Sequence, residues 1–281
     1  MRTPRILSLA AGAAALSLTL AACGGTASTD PTTTGAASEA DLAIVVGATP
    51  VPHAQILTWI SDNLAEEAGL TITVGEFTDY PSGNRGLADG DYDANFFQHV
   101  PYFEAQVEEN GYEIEHSVGI HIEPYGVYSE TLTDIADIPE GGKISVPNDP
   151  SNQARALWLL EDAGVFTLDE SVDDPTIYDL ADNPKNIELV ELDAAQLATT
   201  LADVSAAVIN GNYALDAGLV PSEDAIVLES GEDNPYANIV AFRAGEGADP
   251  AVVKLIELLT SDEVRSYIEE TWPNGEVIPA F

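Results

Sequence analysis

Apolar positions along this chain repeat in two rhythms, and the two alternate. Asp41 to Thr49, DLAIVVGAT, is a short apolar run closed by Gly47 and Pro50, which predicts a buried strand and a loop. Pro52 and His53 then open a helix that the four-residue spacing of Ile56, Ile60 and Leu64 carries to Ala68, with Gly69 as its stop. Leu70 to Phe77 alternates, with Ile72 and Val74 on one face, as a half-buried strand does. A short helix is expected over Asn84–Asp89, a strand over Tyr92–Phe97 and a helix over Pro101–Asn110, with Gly111 after its end. Tyr112 to Ile122 alternates again.

The same rhythm returns in the second half. Lys143–Val146 reads as a strand, Asp149 as an N-cap with Pro150 at the first helical position, and Ser151–Ala163 as a helix closed by Gly164. Strands follow at Ile187–Leu192, Ala206–Asn210 and Ala237–Arg243. Helices follow at Asp193–Leu201 and, as a pair, across Pro250–Thr271. Strands alternating with helices predict an α/β sheet in each half. Leu87-Ala88-Asp89 and Leu201-Ala202-Asp203, each just before a strand, hint that the halves echo one another. Two such lobes place a ligand cleft between them, near the carboxyl ends of the strands.

The ends of the chain add a compartment. Arg2 and Arg5 precede the apolar stretch Ile6–Leu20, too short and alanine-rich for a membrane span but suited to a secretory signal. It closes on Leu20-Ala21-Ala22-Cys23-Gly24, which resembles the lipobox of bacterial lipoproteins, where the cysteine becomes the lipid-bearing N-terminus. Cys23 is the single cysteine, so an internal disulfide and cysteine-clustered zinc are excluded. Gly24 to Glu39 holds too little apolar surface to bury and reads as a tether. The net charge of -39, from 48 acidic against 9 basic residues, repels nucleic acid and anionic lipid. Membrane attachment therefore falls to the lipid anchor alone. The scattered acids read as a solvated coat that keeps the protein soluble.

Polar and aromatic residues gather at the predicted strand ends: Tyr80, Phe97, His99 and Tyr102 in the first half, Asn152, Arg155, Asn210 and Asn212 in the second, and Asn238 near the last strand. Arg155 stands one turn into a helix, where an anion is favoured and a guanidinium grips a carboxylate with two bonds. It is equally a surface arginine paired with Glu161 or Asp162. Asn210, Asn212 and Asn238 suit a zwitterion and are also ordinary turn residues. The aromatics suit a thioether and are also ordinary core.

No G-x-S-x-G, H-E-x-x-H, P-loop or helix-opening G-x-G-x-x-G is present, so no enzyme and no cofactor is expected. Two other binding functions stay open. Three of the four histidines, His53, His99, His116 and His121, together with Glu123 would suit zinc or manganese, although none are spaced i, i+4. A surface lipoprotein acting through protein partners is the other.

The stretches VGATPVPHAQIL from Val46, DYDANFFQHVPYF from Asp91, HIEPYGVYS from His121, VPNDPSNQARALWLL from Val146, AAVINGNYALDAGL from Ala206 and NPYANIVAFR from Asn234 resemble the NlpA-like methionine-binding lipoproteins of ABC importers. The resemblance spans about Asp41 to Phe281. It implies an α/β, two-lobed fold of the periplasmic-binding-protein type (type II), with a cleft between the lobes and chain crossings near Glu123 and Tyr236. The implied divisions are a signal peptide at 1–22, the lipidated cysteine and tether at 23–40, a first lobe at 41–122 plus 237–281, and a second at 123–236. The implied function is capture of methionine, L or D, or a close relative, for an ABC permease and its ATPase at the outer side of the cell membrane. Arg155 is then expected on the ligand carboxylate, and Asn210 and Asn238 on its amino and carboxyl groups. Asn152 and Asn212 would help, and Tyr80, Phe97, His99 and Tyr102 would enclose the side chain. Family members often carry methionine where this chain has Tyr125, a difference at the lobe junction.

Overall fold

In the computed structural model, which describes residues 42–281, the strands form two large sheets and a two-stranded ribbon. The expected signal peptide, lipidated Cys23 and tether lie outside the described residues. Among the described residues no helix is long and apolar enough to cross a membrane.

The larger sheet begins with β1 (Leu42–Ala48), β2 (Leu70–Glu76) and β3 (Ala94–His99), all parallel, with Leu42 opposite Leu70 and Val46 opposite Ala94. Two helices join them. The first, α1 (Gln55–Asn63), follows a wide turn at Pro50–Ala54, and the second is α2 (Tyr80–Asp89). The next helix, α3 (Val100–Asn110), leads to β4 (Ile114–His116) and β5 (His121–Ile122). The chain then crosses to the smaller sheet, built from β6 (Gly126–Tyr128) and β7 (Lys143–Pro147). Past α4 (Pro150–Asp162), β8 (Thr167–Leu168) and β9 (Leu180–Asp182) form a separate ribbon. Strands β10 (Glu188–Leu192) and β11 (Ala206–Ile209), helices α5 (Gly211–Asp216) and α6 (Pro221–Asp224), and β12 (Ala225–Leu228) complete this half. The smaller sheet has the order β10-β7-β11-β6-β12, parallel at β7 and antiparallel around β6.

The chain then returns. Strand β13 (Asn238–Arg243) enters the larger sheet antiparallel to β3, followed by α7 (Pro250–Leu259), α8 (Asp262–Thr271) and β14 (Ile278–Pro279). The larger sheet thus runs β14-β5-β13-β3-β1-β2, with β4 also on β13. Each sheet has its own core. Ile44 and Val46 pack with Ile56, Ile60, Leu255 and Leu259 in one, and Ile144, Val146, Leu157, Leu160 and Val208 pack together in the other. Each such side chain contributes roughly 1.5–3 kcal/mol on burial.

Four expectations need correction. The first helix ends at Asn63 instead of Ala68: the amides of Leu64 and Ala65 both turn onto the Ile60 carbonyl, and Asn63 Nδ2 bonds back to the Trp59 carbonyl at 2.8 Å. Gly69 still takes the left-handed conformation that admits the next strand, at φ +67°. Helix α2 starts at Tyr80, four residues before the expected Asn84. Asp79 caps it by accepting from the Ser82 amide and hydroxyl, so Pro81 and Gly83 lie inside the helix and make no turn. The alternating stretch Tyr112–Ile122 is broken into β4 and β5, because Ser117 Oγ accepts from the Val240 amide at a bulge in β13. The helix expected over Asp193–Leu201 is a 3₁₀ helix, Ala194–Thr200.

Candidate functional site

The carboxyl end of β3 points at the smaller sheet, and α4 and α5 start opposite it. Twelve residues from these elements line one cavity: Tyr80, Phe97, Gln98, His99, Tyr102, Glu123, Asn152, Arg155, Asn210, Gly211, Asn212 and Asn238. All nine residues expected at a ligand site are among them. Gln98, Glu123 and Gly211 are additional. The free volume between the walls is about 20 Å³, about the room one water needs.

One wall is aromatic. The rings of Tyr80, Phe97 and Tyr102 lie 5.4–6.0 Å apart between centroids, in tilted and edge-on arrangements. Gly83 on α2 permits this packing, since a Cβ there would stand 2.4 Å from the Phe97 ring. Behind the wall, the side-chain amides of Asn84, Asn95 and Gln98 bond one another at 2.6–3.0 Å and hold α2 against β3. Asn95 thus serves this network and does not face the cavity.

The polar wall is ordered from α4. Asp149 caps the helix, accepting from the Asn152 amide at 2.9 Å and from its Nδ2 at 3.0 Å. Asn152 Oδ1 is thereby left to accept from Asn210 Nδ2 at 2.7 Å and from His99 Nε2 at 3.1 Å. His99 Nδ1 accepts from the Tyr102 amide, so its proton sits on Nε2. Burial, with Arg155 nearby, pushes the His99 pKa down to about 3, and the ring is neutral at pH 7.

Arg155 is buried and paired, though with neither Glu161 nor Asp162. Its Nε donates to Glu229 Oε1 at 3.0 Å and its Nη2 to Glu229 Oε2, while Nη2 also donates to the Glu123 carbonyl at 3.1 Å. The guanidinium lies 4.0 Å from the Tyr236 ring centroid and 4.7 Å from that of Tyr125. Its Nη1 makes no hydrogen bond among the described residues. Tyr125 also donates to Asn210 Oδ1 at 3.2 Å.

Glu123 closes the cavity from the crossing segment. Its Oε1 lies 2.7 Å from His121 Nε2 and 3.3 Å from His53 Nε2. His53 Nδ1 bonds the Thr49 hydroxyl at 2.8 Å, and its Nε2 lies 3.1 Å from Asn238 Oδ1. Burial pushes His53 down to about 4 and His121 to about 3, so both rings are neutral donors. Burial raises the Glu123 pKa, opposed by His53, Arg155 and the Asn212 backbone N–H. Of the four histidines weighed for a metal, only His53 and His121 meet Glu123, with donor atoms within 4.8 Å of one another. His99 belongs to the aromatic end, and the exposed His116 meets the Phe103 ring edge-on.

Hydrogen bonds between the halves include Tyr80 to Asn212, His99 to Asn152, the Tyr213 hydroxyl to the Thr78 carbonyl at 3.1 Å, and the Ser222 hydroxyl to Glu276 Oε1 at 3.1 Å. Sequence reasoning missed Glu229 and the rings on Arg155, because pairing over 74 residues leaves no local pattern.

Two α/β lobes joined by two crossing segments, with a polar and aromatic cavity between them, define a solute-binding protein of the two-lobed periplasmic type. The chain belongs to the NlpA lipoprotein family, whose model matches residues 44–281. It is 40% identical over 241 residues to the methionine-binding lipoprotein MetQ of Bacillus subtilis, covering 84% of this chain and 87% of that one. A solved nutrient-binding protein of Burkholderia cenocepacia, bound to methionine, superposes with a TM-score of 0.80 at 43% identity, covering 85% of this chain and all of that one. A periplasmic substrate-binding protein of an ABC transporter from Coxiella burnetii does so with a TM-score of 0.80 at 42% identity, over 84% of this chain and all of that one.

Proposed function

We propose that this protein captures methionine, L or D, or a close relative, outside the cytoplasmic membrane, and delivers it to an ABC permease and its ATPase. No bond in the solute is made or broken. The observation that carries this reading is one cavity holding a guanidinium, amide side chains and a cage of three aromatic rings. That set matches a carboxylate, an amino group and an apolar thioether. The names of the B. subtilis and B. cenocepacia relatives support the solute, and that of the C. burnetii relative supports the importer.

Arg155 takes the carboxylate through Nη1. Asn210 and Asn238 fix the amino and carboxyl groups, with Asn152 and Asn212 holding neighbouring side chains in place. Tyr80, Phe97, His99 and Tyr102 enclose the side chain. A free volume of about 20 Å³ admits an amino acid only when the walls part, so the lobes, 41–122 plus 237–281 and 123–236, open and then close on it. The bonds of Tyr80, His99 and Tyr213 across the gap favour the closed state. The tether ending at Cys23 holds the protein at the outer membrane surface.

The test is a thermal-shift panel on protein unfolded and refolded to strip any retained solute. Ligand at about a hundred times its dissociation constant adds roughly 2.7 kcal/mol, enough to raise the midpoint by a few degrees. A rise with methionine alone, in either enantiomer, is expected, and no rise with any amino acid overturns the reading. The cluster of His53, His121 and Glu123 favours one second reading, a zinc or manganese site. At 2.7 Å, His121 and Glu123 are hydrogen-bonded, and a metal would have to break that contact. A rise with zinc, reversed by chelator, would support it.

A further inference from the structure

The Arg155 guanidinium is wedged between the two crossing segments. On the side of the first, the Glu123 carbonyl accepts from Nη2 at 3.1 Å and the Tyr125 ring centroid lies 4.7 Å away. On the side of the second, Glu229 accepts from Nε at 3.0 Å and from Nη2 through its two oxygens, and the Tyr236 ring centroid lies 4.0 Å away. Of the three guanidinium nitrogens, only Nη1 has no hydrogen-bond partner among the described residues. A carboxylate bonded through both oxygens fixes the plane of the guanidinium as well as its place.

Glu229 is itself held. It directly follows β12, and its backbone amide donates to the Tyr125 carbonyl at 2.8 Å, while the Tyr125 amide donates to Glu229 Oε2 at 3.1 Å. The carboxylate therefore stands where the two crossing segments leave the smaller sheet side by side. The side chains of Arg155 and Glu229 are 5% and 16% exposed, so water does not take over a contact that either one loses. Glu229 is not among the residues that line the cavity. Any bond it makes towards a ligand is made through Arg155.

Resting on the methionine reading of this cavity, we propose that Glu229 is a positioning residue, which aims Arg155 Nη1 at the ligand's carboxylate and so sets the site's preference for a free carboxyl group. A bare counter-charge would act in the opposite sense, since it offsets the attraction of the guanidinium for an anion. The two roles thus differ in sign. A counter-charge needs only proximity, whereas the two-oxygen fork and the paired bonds to Tyr125 build an orientation. Side chains that must meet a ligand in one geometry are locked by such bonds from behind.

The experiment compares L-methionine with L-methioninamide, which keeps the amine and the thioether but has no carboxylate, by calorimetric titration of the full chain in detergent. Wild type should prefer methionine. Glu229→Asp keeps the charge but withdraws it from the fork by one methylene. It should weaken methionine at least about tenfold, the worth of one hydrogen bond to a charged group, and change methioninamide less than about threefold. Glu229→Gln keeps the reach but turns an N–H towards one guanidinium nitrogen, and should weaken methionine with the same selectivity. Each variant is read only if it melts cooperatively, and either one alone carries the test. Tighter methionine binding by the glutamine variant makes Glu229 a counter-charge and overturns the proposal, as does an aspartate variant of wild-type affinity. Equal losses for both compounds make Glu229 structural and also overturn it. If wild type takes another amino acid in place of methionine, the side-chain reading alone fails, and the same comparison is made with that amino acid and its amide. Wild type that binds the amide as tightly as the amino acid overturns the role of Glu229. Wild type that binds no amino acid overturns both readings.

Discussion

The Tyr80 hydroxyl donates to Asn212 Oδ1 at 2.6 Å, joining the first turn of α2 to the first turn of α5 across 132 residues of sequence. Both groups are buried, and each belongs to a different half of the molecule. Tyr80→Phe keeps the ring in the aromatic wall and removes only this bond, which is worth about 0.5–1.5 kcal/mol. Methionine affinity should fall about two- to tenfold, mainly through faster release, with the unliganded melting midpoint nearly unchanged. Stopped-flow dissociation separates the outcomes, and an unaltered release rate removes this bond from closure.

Arg155→Ala takes away the guanidinium and strands Glu229, whose pKa the pair holds below the usual carboxylate range against burial. Methionine binding should fall by about 2–5 kcal/mol. Arg155→Lys should not restore it, because an ammonium cannot bond both Glu229 oxygens in a fork. Calorimetry on the two variants checks this, and a lysine variant of wild-type affinity contradicts it.

Asn238→Ala deprives His53 Nε2 of its 3.1 Å partner and removes an amide from the cavity. Weaker methionine binding by about tenfold is expected, with a cooperative melt retained. If stability falls as much as affinity, the residue is structural.

Acid should weaken the fold through the buried imidazoles. His53, His99 and His121 have folded pKa values of about 4, 3 and 3, below the ordinary 6.5. Between those limits the unfolded chain binds more protons, so their contribution is complete above about pH 6.5 and is lost as pH falls towards 3–4. Glu123 and Asp149, the latter raised to about 6, act in the opposite sense. His121→Gln keeps an amide donor for Glu123 but does not titrate. Its melting midpoint should fall less steeply with acid than that of wild type over this window, and parallel curves would remove His121 from the acid response.

Cys23→Ala should move the protein from the membrane fraction to the soluble one on fractionation of cells expressing the full chain. Retention in the membrane pellet contradicts a lipid anchor at this residue.

Much of this architecture is legible in the sequence because it rests on local rules. The caps at Asp149 and Gly111 and the strands at Leu42–Ala48 and Asn238–Arg243 follow from the spacing of their own residues. The cavity-lining residues stood at strand ends, where an α/β sheet puts its ligands, and the family resemblance sorted them from turn and core residues of the same types. What stayed hidden depends on distant partners. Glu229 reaches Arg155 over 74 residues. The sequence offers Glu123 beside four histidines as a metal ligand, and only the fold shows that His53 and His121 are the two that meet it. Strands β6 and β12, of three and four residues, are too short for any periodicity to show.

Strand β13 lies in the interior of the larger sheet, between β5 and β3, yet it is made about 140 residues after the strand it joins. As the chain emerges, β1, β2 and β3 can pair early, but β3 keeps a bare edge until nearly the whole molecule is out. A contact of such sequence separation forms slowly, and an unpaired edge invites other chains meanwhile. The half of the protein translated first is therefore secured last. Loss of even the final 45 residues or so would leave the smaller sheet's strands intact while the larger sheet lacked its central seam.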